Sequence, residues 1–282
     1  MDLKMKSFWL LLTVILISTA ACDNSNEGET APDLPPYSSM AMDFEDFDDN
    51  QANAIYGKSA TAQANNHWLY SRVVVGVWNT ALFTTLAVPV ASFKTAFSHK
   101  PVYLGNAKWQ WAYAVAGFTS QYTARLTGEL AGDEVIWEMY VTKKGIDSFD
   151  EFLWFTGASQ IDGQRGNWVL NHSAAFQENM LRIDWSIDNE EIGDIKYTYV
   201  RDLDDNRNTD TFKNSYINYG LQTGELDAFY NIHAFDHNLN KFVDVNIEWD
   251  RTSFNGQVMA PDFFNDTNWH CWNGAGEDVD CE

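Results

Sequence analysis

From Lys108 to Trp249 the chain repeats one pattern, short segments of alternating apolar and polar residues separated by turn-forming clusters. Trp109, Trp111, Tyr113 and Val115 alternate with Lys108, Gln110, Ala112 and Ala114, and Val135, Trp137, Met139 and Val141 with Glu134, Glu138 and Thr142. Later, Leu181, Ile183, Trp185 and Ile187 alternate with Arg182, Asp184, Ser186 and Asp188, and Val243, Val245, Ile247 and Trp249 with Asp244, Asn246, Glu248 and Asp250. Period two puts one set of side chains on a core and the other in water, which is the signature of half-buried β-strands. The breaks between runs, such as AGD, KKG, IDGQRGN, EEIGD and DHNLN, are turn chemistry. Loops this short join antiparallel neighbours and leave no room for helical crossovers. The expected fold is therefore mainly β, an antiparallel meander of about 10–11 strands.

A sheet that long, apolar on one face, has to curl or split to hide that face. The stretch from Val73 to Phe93, VVVGVWNTALFTTLAVPVASF, carries no charge and supplies a filling. Its length would allow a bilayer span, but Asn79, Thr80, Thr84 and Thr85 dilute it, and the sheet that follows needs something apolar to wrap. It is expected to be a buried N-terminal helix from about Trp68 to Val88, with Val73 to Val88 enclosed on all sides and Pro89 ending or kinking it before a further turn to Phe97. The architecture predicted is a strongly curved sheet or incomplete barrel around this helix, with a β-sandwich as the alternative. In an outer-membrane barrel the same charged strand faces would line a lumen, and an uncharged helix ahead of the strands has no place there.

Charge narrows the choice of partners. With 18 Lys and Arg against 40 Asp and Glu, the net charge of −22 repels phosphate backbones and excludes nucleic acid. The 45% hydrophobic content, a third of it aromatic, is ample for a core. Two of the three cysteines, Cys271 and Cys281, stand in the last twelve residues and would pair in an exported protein. Closing that short loop contributes ~3 kcal/mol, enough to pin a tail.

The N-terminus has the plan of an export signal: Lys4 and Lys6, an apolar run from Phe8 to Ile17, then Ser18, Thr19, Ala20 and Ala21 before Cys22. The segment from Thr19 to Cys22 resembles the lipobox of bacterial lipoproteins, departing at Thr19, where that family usually has Leu. The resemblance implies that Cys22 is acylated, becomes the mature N-terminus and anchors the chain to an envelope membrane, at its periplasmic face or at the cell surface. On this basis residues 1–21 are a signal peptide. Residues 22–63, rich in Asp, Glu, Asn, Ser and Pro, form an acidic disordered tether able to reach on the order of 100 Å, with Phe44 and Phe47 loosely held or docking on a partner. Residues 64–282 form one helix-plus-meander domain with a disulfide-closed tail. Lipobox, tether and an unclosed meander on a helix together look like the bacterial lipoprotein-carrier and lipoprotein-receptor superfamily, whose concave sheet holds acyl chains. That likeness covers Trp68 to Ala260 as architecture only, and no functional residue carries over.

Searching for chemistry yields no catalytic set and no cofactor motif. His67, His99, His172, His233, His237 and His270 occupy no metal or catalytic spacing, and phosphate loops, nucleophile elbows and Cys-x-x-Cys pairs are missing. The loop holding Asp202, Asp204, Asn206 and Asp210 has the oxygen donors that Ca²⁺ takes, but Arg207 stands where a calcium loop needs glycine and Lys213 where it needs a bidentate Glu. Trp109, Trp111, Trp137, Trp185 and Trp249 fall on core phases, leaving Trp154, Trp168, Trp269 and Trp272 as candidate sugar-stacking surfaces. The function expected is a non-enzymatic envelope lipoprotein that admits a hydrophobic or lipid ligand inside the curved sheet. The alternatives are a carbohydrate-binding β-sandwich lipoprotein and a hydrolase whose paired carboxylates the sequence does not locate.

Overall fold

Fourteen antiparallel strands form one sheet in which each strand pairs with its neighbours in sequence and the two ends stay open. The computed structural model describes residues 30–42, 44–47, 66–116 and 120–281. The strands are β1 (Val102–Gly105), β2 (Lys108–Val115), β3 (Gln121–Ala131), β4 (Glu134–Lys144), β5 (Phe149–Gln160), β6 (Arg165–Asn171) and β7 (Asn179–Asp188). They continue as β8 (Glu191–Tyr199), β9 (Tyr216–Leu221), β10 (Ala228–Asp236), β11 (Lys241–Trp249), β12 (Gly256–Met259), β13 (His270–Trp272) and β14 (Asp278–Val279). The ten strands β2 to β11 are the period-two runs. The other four lie at the sheet's ends and are too short to show a period. A single curved meander on a helix is what the alternation required, and the two-sheet sandwich is not formed.

The curvature has a specific cause on the inner face. Cross-strand register lines up Trp109, Gly128, Trp137, Gly157 and Trp168 on β2 to β6, so that each of the two glycines lies between two indoles. A methyl group on Gly128 would come within 2.6 Å of the Trp137 ring, and one on Gly157 within 2.2 Å of the Trp168 ring. The same pairing recurs at Gly166 with Trp185 and at Gly256 with Trp272. Alternating the largest side chain with none lets neighbouring strands fold inward over the indoles, where a row of large residues would splay them.

The long helix, α1 (His67–Ala96), crosses the concave side. Trp68, Ser71, Val75, Leu82, Leu86, Pro89, Phe93 and Ala96 form the buried stripe, spaced at three, four and seven residues. Its outer face is open: Val73, Val77 and Phe83 are 55%, 65% and 72% exposed. The expectation that Val73 to Val88 is enclosed is therefore wrong for half the helix. It failed because the apolar residues lie on every side of the helix, so hydropathy could not choose a face. The expected end of the helix before Pro89 is also absent. The helix runs through it, and the buried proline ring offsets the missing backbone bond.

A second correction concerns the tether. Residues 30–42 and 44–47 are not loose chain but a strap laid between α1 and the sheet, with 3-10 turns at Tyr37–Ser39 and Glu45–Phe47. Met40, Phe44 and Phe47 are buried, so the domain begins at Ala31 rather than residue 64. Three inward aromatic residues hold the strap by their polar tips. Trp168 donates to the Ser39 hydroxyl at 3.1 Å, the Tyr197 hydroxyl accepts from the Met42 N–H at 2.7 Å, and Trp249 donates to Asp46 at 2.9 Å. Buried aromatic residues with polar tips need such partners, and here one segment supplies all three. The signal peptide, Cys22 and the remaining tether residues lie outside the described residues.

Cys271 and Cys281 are disulfide-bonded. The tail they close caps α1: Asp278 accepts from the His67 N–H at 2.9 Å, and Asn66 caps the Leu69 N–H and donates to the Gly276 carbonyl. A carboxylate there is favoured by the helix dipole. Replacing both cysteines by serine is expected to cost about 3 kcal/mol in urea unfolding, with the α1 N-terminus losing amide-exchange protection first. Free thiols at both positions under non-reducing mass spectrometry would overturn the bond.

Candidate functional site

The inner face of the curved sheet is lined with large aromatic side chains. Among the described residues, Trp137, Phe155, Trp168, Tyr197 and Trp249 are buried there with the strap and the inner side of α1. A groove of about 470 Å³ runs between one flank of α1 and the strap, lined by Leu82, Phe83, Leu86, Ala87, Val90 and Ala91 on the helix and Ala41, Met42 and Phe44 on the strap. That volume is in the range of small-ligand sites.

Polar groups stand at only a few points of this groove. Asn79 lies toward one end of the lining helix segment and Lys94 toward the other, where its ammonium sits 4.9 Å from the Tyr37 ring centre. The Tyr197 hydroxyl, at the groove's floor, is raised far above its ordinary pKa by burial and is occupied by the strap, donating to the Met40 carbonyl at 3.2 Å. Among the described residues no carboxylate lines the groove. Such a site takes an apolar chain and tolerates one anionic or polar end beside Lys94.

The other flank of the strap is different. A cleft of about 520 Å³ is lined there by Asp46, Glu190, Glu191, Tyr219 and Arg251. Arg251 is held by Asp227 at 3.1 Å and Glu191 at 3.2 Å, and burial pushes the Tyr219 hydroxyl up to about 12. The strap thus divides an apolar groove from a charged cleft.

The residues that the sequence offered for other sites do not assemble. Trp168 and Trp272 are buried and bonded, Trp168 to Ser39 and Trp272 to the Phe254 carbonyl, so neither offers a face to sugar. Trp154 packs edgewise on Phe149 and at a tilt on Phe152, and the Trp269 carbonyl oxygen lies 3.2 Å from the disulfide sulfur of Cys281. In the acidic loop Asp202 pairs with Lys213, Asp204 accepts from the Asn206 and Asn208 N–H groups, and Asp210 accepts from the Tyr199 hydroxyl and the Phe212 N–H. The carboxylates fold the loop and do not converge. Among the described residues no three His, Cys, Asp or Glu side chains form a metal-binding group. The loop's real anchor, missed in the sequence, is the buried Arg201. It binds Glu178 at 2.9 Å and Asp205 at 2.8 Å, and its hydrogen bond holds the Asp205 carboxyl below the usual carboxylate range.

These features define an open antiparallel meander whose concave face is filled by one helix and an N-terminal strap. No protein-family model, curated protein or solved structure matches the chain.

Proposed function

We propose that the protein is an exported, lipid-anchored envelope protein that holds a hydrophobic, acyl-chain-like ligand in the groove between α1 and the strap. The observation that carries this reading is the groove's lining: apolar along both walls, without a carboxylate among its described residues in a chain of 40 acidic residues, and finished by one lysine. The lipobox-like segment at Thr19 to Cys22 supports the anchor.

The ligand reading is tested by titrating the purified protein with a fluorescent long-chain fatty acid. Ala91→Trp fills the groove from the helix side and is expected to weaken binding at least about tenfold, with melting unchanged. Lys94→Glu should weaken the fatty acid more than the corresponding fatty alcohol. Binding indifferent to both changes would sink the ligand site. The anchor is tested separately by metabolic labelling with a fatty acid, which the Cys22→Ser chain should not incorporate.

A further inference from the structure

We propose that the outer face of α1, with the exposed residues just beyond it, rests on the surface of a bilayer containing anionic phospholipid; this rests on the Cys22 anchor of the proposed function.

The first support is reach. Because the folded unit begins at Ala31, the chain from an acylated Cys22 to the body is nine residues, about 30 Å at full extension. Within the strap, Tyr37 meets Lys94 in the last turn of α1. An anchored body thus stays close to the membrane, not far above it as a longer tether would allow.

The second is what α1 exposes. α1 has the length and apolarity of a bilayer span, yet only 22% of its most apolar window is buried. Val77 and Phe83 are open on its outer face, followed by Phe97 at 48% and Val102 at 62% exposure. The helix cannot cross a bilayer endwise, since the His67 ring is bonded to the Cys271 carbonyl on β13 and the Tyr113 hydroxyl on β2 to the Ser92 carbonyl, both at 2.8 Å. Crossing would draw in the charged convex face of the sheet. Lying flat places only the apolar face at the acyl boundary.

The third is charge. Between Asp49 and Glu129 the sequence holds no acidic residue, so all 40 lie elsewhere. The exposed Lys94 and Lys100 stand at the end of α1 among the apolar residues, where long stems can reach up to phosphate groups. The acidic body is repelled by such a surface while Lys94 and Lys100 are drawn to it, which favours docking by the apolar face beside them.

The test uses the acylated full-length protein on vesicles of phosphatidylcholine and phosphatidylglycerol. A fluorophore on Thr84→Cys reports the outer face, and one on Ile146→Cys, 84% exposed in the β4–β5 turn, reports open water. Nitroxide-bearing lipids are expected to quench the Thr84 probe at least about twofold more than the Ile146 probe, and Lys94→Glu with Lys100→Glu to remove the difference. Equal quenching in protein whose intact mass confirms the acyl group overturns the docking alone. A Thr84 probe shielded from aqueous quencher but untouched by lipid nitroxide overturns it in favour of a second copy of the chain. Protein without the acyl mass removes the anchor, and the proposal falls with it.

Discussion

Leu82→Asp is expected to destabilise the whole domain by roughly 3–5 kcal/mol, while Val77→Asp, on the same helix, changes its stability little. Leu82 is 6% exposed on the inner stripe of α1, whereas Val77 is 65% exposed on the outer face. A carboxylate at position 82 has no cation opposite it among the residues lining that flank except the more distant Lys94, so it is desolvated or opens the helix from the sheet. Thermal melts followed by circular dichroism should show Leu82→Asp lowered by roughly 10 °C or more, with the β signal lost together with the helical one. Equal losses for the two variants would mean that α1 is enclosed on both sides. A Leu82→Asp melt like that of the parent would mean that α1 is not the core of the meander.

Gly157→Val should have an effect nearly as large, through steric conflict rather than charge. The added Cβ would lie 2.2 Å from the Trp168 ring and 2.6 Å from the Asn167 carbonyl, both inside contact distance, and the second of these is backbone that cannot swing away. Trp168 would have to leave its site and release Ser39, loosening the strap at one of its three bonds. Overpacking costs typically 1–3 kcal/mol, and the lost indole hydrogen bond adds about one more. Urea unfolding should give a loss of roughly 3 kcal/mol. Gly163→Val, at a turn position with nothing within 4 Å, tests backbone conformation without crowding and should cost less. A neutral Gly157→Val would remove the steric account of the curvature.

Much of this fold was legible before any coordinates. The meander followed from period two, clearest in β2, β4, β7 and β11, where one face is core and the other water. The helix followed from the length of its uncharged run. Which side of it is buried did not, since Val73 and Val77 are as apolar as Val75 and Leu82. Trp168 could have been placed correctly: it shares the inward phase of Leu170 two residues on, and the sugar-facing assignment ignored that phase. The strap had no such signal. Met40, Phe44 and Phe47 are too sparse among acidic and small residues to show a period, and their partners Tyr197, Tyr230 and Trp249 are far along the chain. The groove was hidden for the same reason, as one wall is the strap and the other is the helix flank that hydropathy could not orient.

The strap also sets an order of events in time. Ser39, Met42 and Asp46 are among the first residues of the domain to be made, yet the side chains that receive them come 129, 155 and 203 residues later. Each hairpin of the meander can close on its immediate neighbour, a sequence of local steps with little entropy lost at each. The strap cannot be completed until Trp249 on the eleventh strand is in place. Until then the aromatic face it will cover is open to water and to other chains, so the earliest segment of the domain governs how long the nascent protein stays prone to aggregation.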